Sequence, residues 1–97
     1  MKSLNEISAI LEQHKSEFEK KYKLKEIGIF GSYAKGQQKE TTDIDILVEF
    51  DDAPDLLTFL ELESYVEKIL DIKADMVRKK ALRPELRDDI LRDVVYL

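Results

Sequence analysis

The chain has 97 residues, 43% of them hydrophobic and 38% charged, with a formal net charge of −5 and no cysteine. That length predicts one small domain over residues 1–97, whose thin core buries roughly two-thirds of the unfolded surface, with no room for a second substrate-binding domain. The acidic balance argues against general binding to nucleic acid, and the missing cysteines exclude a disulfide, a thiolate nucleophile and cysteine-ligated zinc.

The N-terminal ten residues, MKSLNEISAI, lack an uninterrupted apolar run, so no signal peptide is expected. No apolar stretch approaches the ~20 residues needed to cross a bilayer. A cytoplasmic protein with no membrane association is the expectation. Charge is unevenly spread: residues 1–77 carry 10 basic and 17 acidic side chains, and residues 78–97 carry 6 and 4. The basic cluster is Arg78, Lys79, Lys80 and Arg83.

In chain order, Leu4, Ile7, Leu11, His14, Phe18 and Tyr22 recur at helical spacing and predict an amphipathic helix over about 3–21. Ser3 is placed to cap it, with Glu6 at the reciprocal capping-box position. Residues 25–30, KEIGIF, read as a strand broken by Gly31. Ser32 to Lys35 fit one helical turn closed by Gly36, and 37–42 fit a polar loop. Residues 43–50 read as the clearest strand, with Ile44, Ile46, Val48 and Phe50 on one face and Asp43, Asp45, Leu47 and Glu49 on the other. Asp55 is a good cap for a helix over about 55–70, whose stripe is Leu56, Phe59, Leu60, Val66, Ile69 and Leu70. A short third strand is expected over 72–77, and a last helix from Pro84 to about 95. Leu86, Ile90 and Val94 line one face of that helix, and Leu91, Val95 and Leu97 form a second apolar set. The surplus predicts fuller burial or an interface with another subunit or a partner. The order implies an α/β (α+β) fold: a small mixed sheet of three to four strands with helices packed on one face.

Two features carry chemistry. Side chains two apart on a strand point the same way, with Cα atoms ~6.6 Å apart, so Asp43 and Asp45 converge above one sheet face. Mg²⁺ takes oxygen ligands and is commonly held by one or two carboxylates plus substrate phosphates. Asp75, on the third strand, is placed to add a carboxylate from a neighbouring position and complete a two-ion site. A lone Asp-X-Asp is more often a solvated edge. Here both aspartates interrupt an Ile/Leu/Val-rich run, and their like charges repel unless a cation screens them. Gly31-Ser32 reads either as a turn and a cap, or as a phosphate-binding turn with free amides and a hydroxyl donor.

Joined, Gly31-Ser32-X₁₀-Asp43-X-Asp45 resembles the signature of the DNA polymerase β-like nucleotidyltransferase superfamily. GSYAKGQ and TDIDILVEF are similar to the minimal nucleotidyltransferases, the small partners of HEPN-domain toxins. The resemblance covers most of the chain and implies a nucleotidyltransferase-like fold. It implies that Gly31 and Ser32 hold phosphate and that Asp43, Asp45 and Asp75 are catalytic metal ligands. Two Mg²⁺ ions, ATP as substrate, and AMP transfer to a hydroxyl, a tyrosine of a HEPN toxin, follow from it. Lys35 stands where arginine is common and loses the bidentate phosphate contact, and Thr42 stands where serine is common. Lys35 and Arg78 are the further phosphate-binding candidates, and an oligomer with the partner is possible on this reading. The alternatives are a non-catalytic antitoxin that seals a partner's surface, and nucleotidyl transfer to a small molecule. His14 and Tyr33 are expected to pack rather than to catalyse.

Overall fold

A computed structural model describes residues 2–97. The first helix, α1, spans Leu4–Tyr22. The Glu6 amide donates to Ser3 Oγ and the Ser3 amide donates to Glu6 Oε1, both at 3.2 Å, which forms the expected capping box. Strand β1 (Leu24–Phe30) runs into Gly31 and the single turn α2 (Ser32–Lys35). Strand β2 (Ile44–Phe50) is followed by α3 (Leu56–Leu70), capped by Asp55, whose carboxylate accepts from the Thr58 amide at 2.8 Å. Strand β3 (Ala74–Arg78) passes through a 3₁₀ turn (Lys79–Ala81) into α4 (Pro84–Asp93), and β4 is Val95–Tyr96.

The four strands form one mixed sheet in the order β3-β2-β1-β4. β1 is antiparallel to β2 and to β4, and β2 is parallel to β3. The register sorts the side chains into two faces. Ile29, Ile46 and Met76 share one row, and Ile27 lies beside Val48. These belong to the core, with Ile7, Leu11 and Phe18 of α1 and Leu62, Val66 and Leu70 of α3. The two long helices therefore pack on one face of the sheet. Burying each such side chain stabilises the fold by about 1.5–3 kcal/mol.

The opposite face carries a row of Phe30, Asp45 and Asp75, then Gly28, Leu47 and Val77, then Glu26 beside Glu49. β3 and β4 lie at opposite edges, so the chain between them must cross the sheet, and its 3₁₀ turn meets β2. Lys79 Nζ reaches Glu26 Oε1 at 3.3 Å and stands over the Tyr96 ring, and Arg87 Nη1 donates to the Lys79 carbonyl at 3.1 Å. Beneath this crossover Leu47 is only 1% exposed although it lies outside the main core. The crossover covers the Leu47 end of the face and leaves the aspartate end open.

Three expectations are corrected. The last helix stops at Asp93, and Val95–Tyr96 pairs with Gly28 and Ile29 instead of continuing it. A β-branched and aromatic run beside an unpaired strand edge favours the sheet. In α3 the buried stripe is Leu62, Val66 and Leu70, and Leu56 and Leu60 face water. On α4 no side chain is buried.

Candidate active site

β1 ends at Phe30, the residue opposite Asp45, so the chain turns directly beside that carboxylate. Gly31 makes the turn at φ 71° and ψ −147°, a region essentially closed to residues with a Cβ. A side chain there would overlap Asp45 Oδ2. The glycine is thus needed both for the backbone angle and for the space the carboxylate fills. Ser32 starts α2, whose N-terminus has no side-chain cap. The turn closes at Gly36 (φ 69°), and the Gln37 amide donates to the Ser32 carbonyl at 2.9 Å.

Asp45 and Asp75 are partners in the parallel β2–β3 register and stand side by side on the open face. Asp75 and Asp43 are exposed, and Asp45 is half-buried. Burial pushes the Asp45 carboxyl above its ordinary pKa, and the charges of Asp75 and Asp43 push it the same way. Asp43 lies one residue before β2, on the rim of a recess of about 410 Å³ that also has Thr42 and Lys73 in its wall. Its charge reaches Tyr33 as well, whose hydroxyl is pushed up first by burial and then by Asp43. Tyr33 is 2% exposed and packs in the core, and His14 is half-buried against Phe18 and Tyr65, with its Nδ1 2.9 Å from the Ile10 carbonyl.

Among the described residues no three carboxylate, imidazole or thiolate groups come together as a ready ion site. The donor set still suits a hard divalent cation. It offers oxygen ligands only, clustered like charges that a cation offsets, and an open side for phosphate oxygens. Of the expected trio, Asp45 and Asp75 are brought side by side on one face, while Asp43 lies on the preceding loop rather than in the strand, near enough for its charge to act on Asp45.

The basic candidates divide. Lys35 borders a cleft of about 200 Å³ with Phe30 and Gly31, and its ammonium lies 3.7 Å from Asp93 of α4. Arg78 is not brought to the carboxylates. It pairs with Val48 and alternates with Asp75 and Val77, so it falls on the other side of β3, beside Phe59 and Met76. The strand continues through Arg78, one residue further than the spacing predicts, and this extra step reverses the face. Lys79 is the cation that the crossover carries over the Glu26 end. Sequence reasoning missed Phe30 in the aspartate row and Asp93 at the cleft, because only the non-local register places them.

The nucleotidyltransferase domain model matches residues 11–97. Protein adenylyltransferase MntA of Thermococcus cleftensis is 45% identical over the whole of this chain and 98% of its own. A solved structure described as a candidate minimal nucleotidyltransferase superposes with a TM-score of 0.83 at 30% identity, covering 99% of this chain and 97% of that one. A complex of the tri-AMPylated HEPN toxin of Shewanella oneidensis with an MNT antitoxin matches with a TM-score of 0.61 at 26% identity, over 96% of this chain and 67% of that one. No helix among the described residues is long and apolar enough to cross a membrane. The chain belongs to the nucleotidyltransferase domain family, in its minimal form, and is a nucleotidyltransferase.

Proposed function

We propose that the chain transfers AMP from ATP, with Mg²⁺, to a hydroxyl of a partner protein, in this reading a tyrosine of a HEPN toxin. The observation that carries the reading is the alignment of Asp45 with Asp75 beside the Gly31 turn. It sets two carboxylates next to a turn whose first helical residue is a serine. The relative named protein adenylyltransferase and the tri-AMPylated HEPN complex support the donor and the acceptor class.

On this reading Gly31 and Ser32 hold the β- and γ-phosphates, with the Ser32 hydroxyl donating to a phosphate oxygen. Lys35 adds a point charge at the cleft once it leaves Asp93. The acceptor oxygen attacks the α-phosphorus in line, a new P–O ester forms, and the bond to the β-phosphate oxygen breaks to release pyrophosphate. Asp75, exposed on the open side, faces the acceptor and draws off its proton. Asp43, Asp45 and Asp75 would hold Mg²⁺, which when bound offsets charge on the attacking and leaving oxygens.

The test is incubation with α-labelled ATP, Mg²⁺ and a HEPN-class protein from the same source. Label should pass to the partner, and Asp43→Asn and Asp45→Asn should abolish it. Transfer by the Asp43→Asn/Asp45→Asn double variant at the wild-type rate would refute the reading. The exposed leucines of α3 favour a second reading, neutralisation by surface contact alone. That reading wins if the double variant still silences the partner at one-to-one stoichiometry.

A further inference from the structure

Of the five large apolar side chains most exposed among the described residues, three stand together and the other two are Leu86 and Tyr96. Leu56, Leu57 and Leu60 are 71%, 73% and 44% exposed, and all stand in the first two turns of α3. Beside them runs a groove of about 400 Å³, walled by Pro54, Leu56 and Phe59 on one side and Met76, Val77 and Ala81 on the other. Arg78 lines it as well, and Lys80 and Arg83 follow along the chain. None of these three cations is in an ion pair among the described residues. The one acid in the groove, Asp55, is turned back onto its own helix by the Thr58 amide. On a chain of net charge −5, an apolar groove with the unpaired Arg78 in its wall, and Lys80 and Arg83 close by along the chain, selects a partner segment that is apolar and acidic.

We infer that this groove docks the acceptor protein through an apolar segment bearing acidic side chains, an inference that rests on the proposed protein adenylyltransferase activity. The groove lies at the C-terminal end of β3, on the side that carries Phe59, Met76 and Arg78, whereas Asp75 stands near the start of the strand on the opposite face. A partner seated there is held apart from the aspartate row and reaches it with another of its segments. A second copy of the chain is a poorer occupant. A two-fold contact through this face would gather the unpaired cations of both copies into one interface, with Asp55 as the one acid of the groove on each side.

The test uses the full chain and a HEPN-class protein from the same source. Leu56→Glu and, separately, Lys80→Glu are compared with wild type. Leu56 is the first residue of α3, where an acidic side chain suits the helix dipole, so folding is retained. Each variant should weaken partner binding by calorimetry, and raise the KM for the partner, by about tenfold or more. Affinity for Mg·ATP and the melting temperature should stay at wild-type values. Wild-type binding and labelling by both variants would overturn the docking site and leave the activity standing. Wild-type chain that binds the partner without labelling it would sink the activity, and loss of that binding in the variants would still support the groove. No binding of the wild-type chain to the partner overturns the docking proposal. So does self-association of the wild-type chain that Leu56→Glu abolishes, because the occupant is then a second copy.

Discussion

Replacing Gly31 with alanine would add one methyl group at the point where β1 turns into α2. Two costs arise, and the structure separates them. The backbone angles, φ 71° and ψ −147°, cost about 1–3 kcal/mol for a residue with a Cβ. The new Cβ would also overlap Asp45 Oδ2, and would stand 3.1 Å from its Cγ and 3.4 Å from its Cβ. The carboxylate must then swing aside by on the order of 1 Å, a misplacement that costs about 100-fold in rate at a site built on geometry. Gly36 supplies the control. Its φ is 69°, and a Cβ there meets nothing within 4 Å, so Gly36→Ala carries backbone strain of about 1–2 kcal/mol without the clash. Urea and thermal melts should show both variants destabilised, with the melting point falling about 4–8 °C for each kcal/mol. AMP transfer, measured below both melting points, should collapse only in Gly31→Ala. Equal activity in the two variants would refute the argument that Asp45 occupies the space the glycine leaves open.

Three further outcomes follow from the same geometry. Asp45→Asn removes a charge that Asp75 and Asp43 oppose, so without divalent cation it should be as stable as wild type or more so, by about 0.2–1 kcal/mol. Added Mg²⁺ should raise the melting point of wild type but not of this variant, as followed by differential scanning fluorimetry. Asp55 is held below the ordinary carboxylate range chiefly by the Thr58 amide. Its folded pKa is depressed, so its stabilising contribution is present above the unfolded value near 3.9 and is lost as pH falls through the folded value. Asp55→Ala should therefore melt lower than wild type at neutral pH, and the two curves should converge below about pH 4. Leu47→Ala should cost about 2–5 kcal/mol in denaturant melts, since the crossover leaves it 1% exposed. Leu57→Ala, 73% exposed, should stay within about 0.5 kcal/mol.

Much of the fold is legible because its signals are local. Ser3 and Glu6 announce the start of α1, and Asp55 announces α3, since each cap bonds an amide three residues away. β2 is readable because Ile44, Ile46, Val48 and Phe50 alternate with half-buried or polar positions. Leu47 breaks that alternation, and its burial depends on a crossover that only the sheet order reveals. β4 is two residues long and exists through its pairing with β1, so no periodicity within it distinguishes it from the end of α4. The aspartates are legible as a spacing, and the resemblance joins them to the Gly31 turn. Which side of β3 Arg78 takes is not legible, because it turns on where the strand ends, and a shift of one residue flips the face.

The β3 edge has a consequence for how the molecule can assemble. Two amides on this outer strand, those of Ala74 and Met76, donate to Glu67 Oε2 at 2.8 Å and Glu63 Oε2 at 3.0 Å. The two glutamates are one helical turn apart on α3, and they take up hydrogen bonds that a further strand would otherwise claim. At the other edge β4 offers only two residues. The β3 edge is therefore guarded against strand addition and against running into fibrils with copies of itself. Association on that side has to be made through side chains, and is open to tuning by single substitutions in a way that a shared backbone ladder is not.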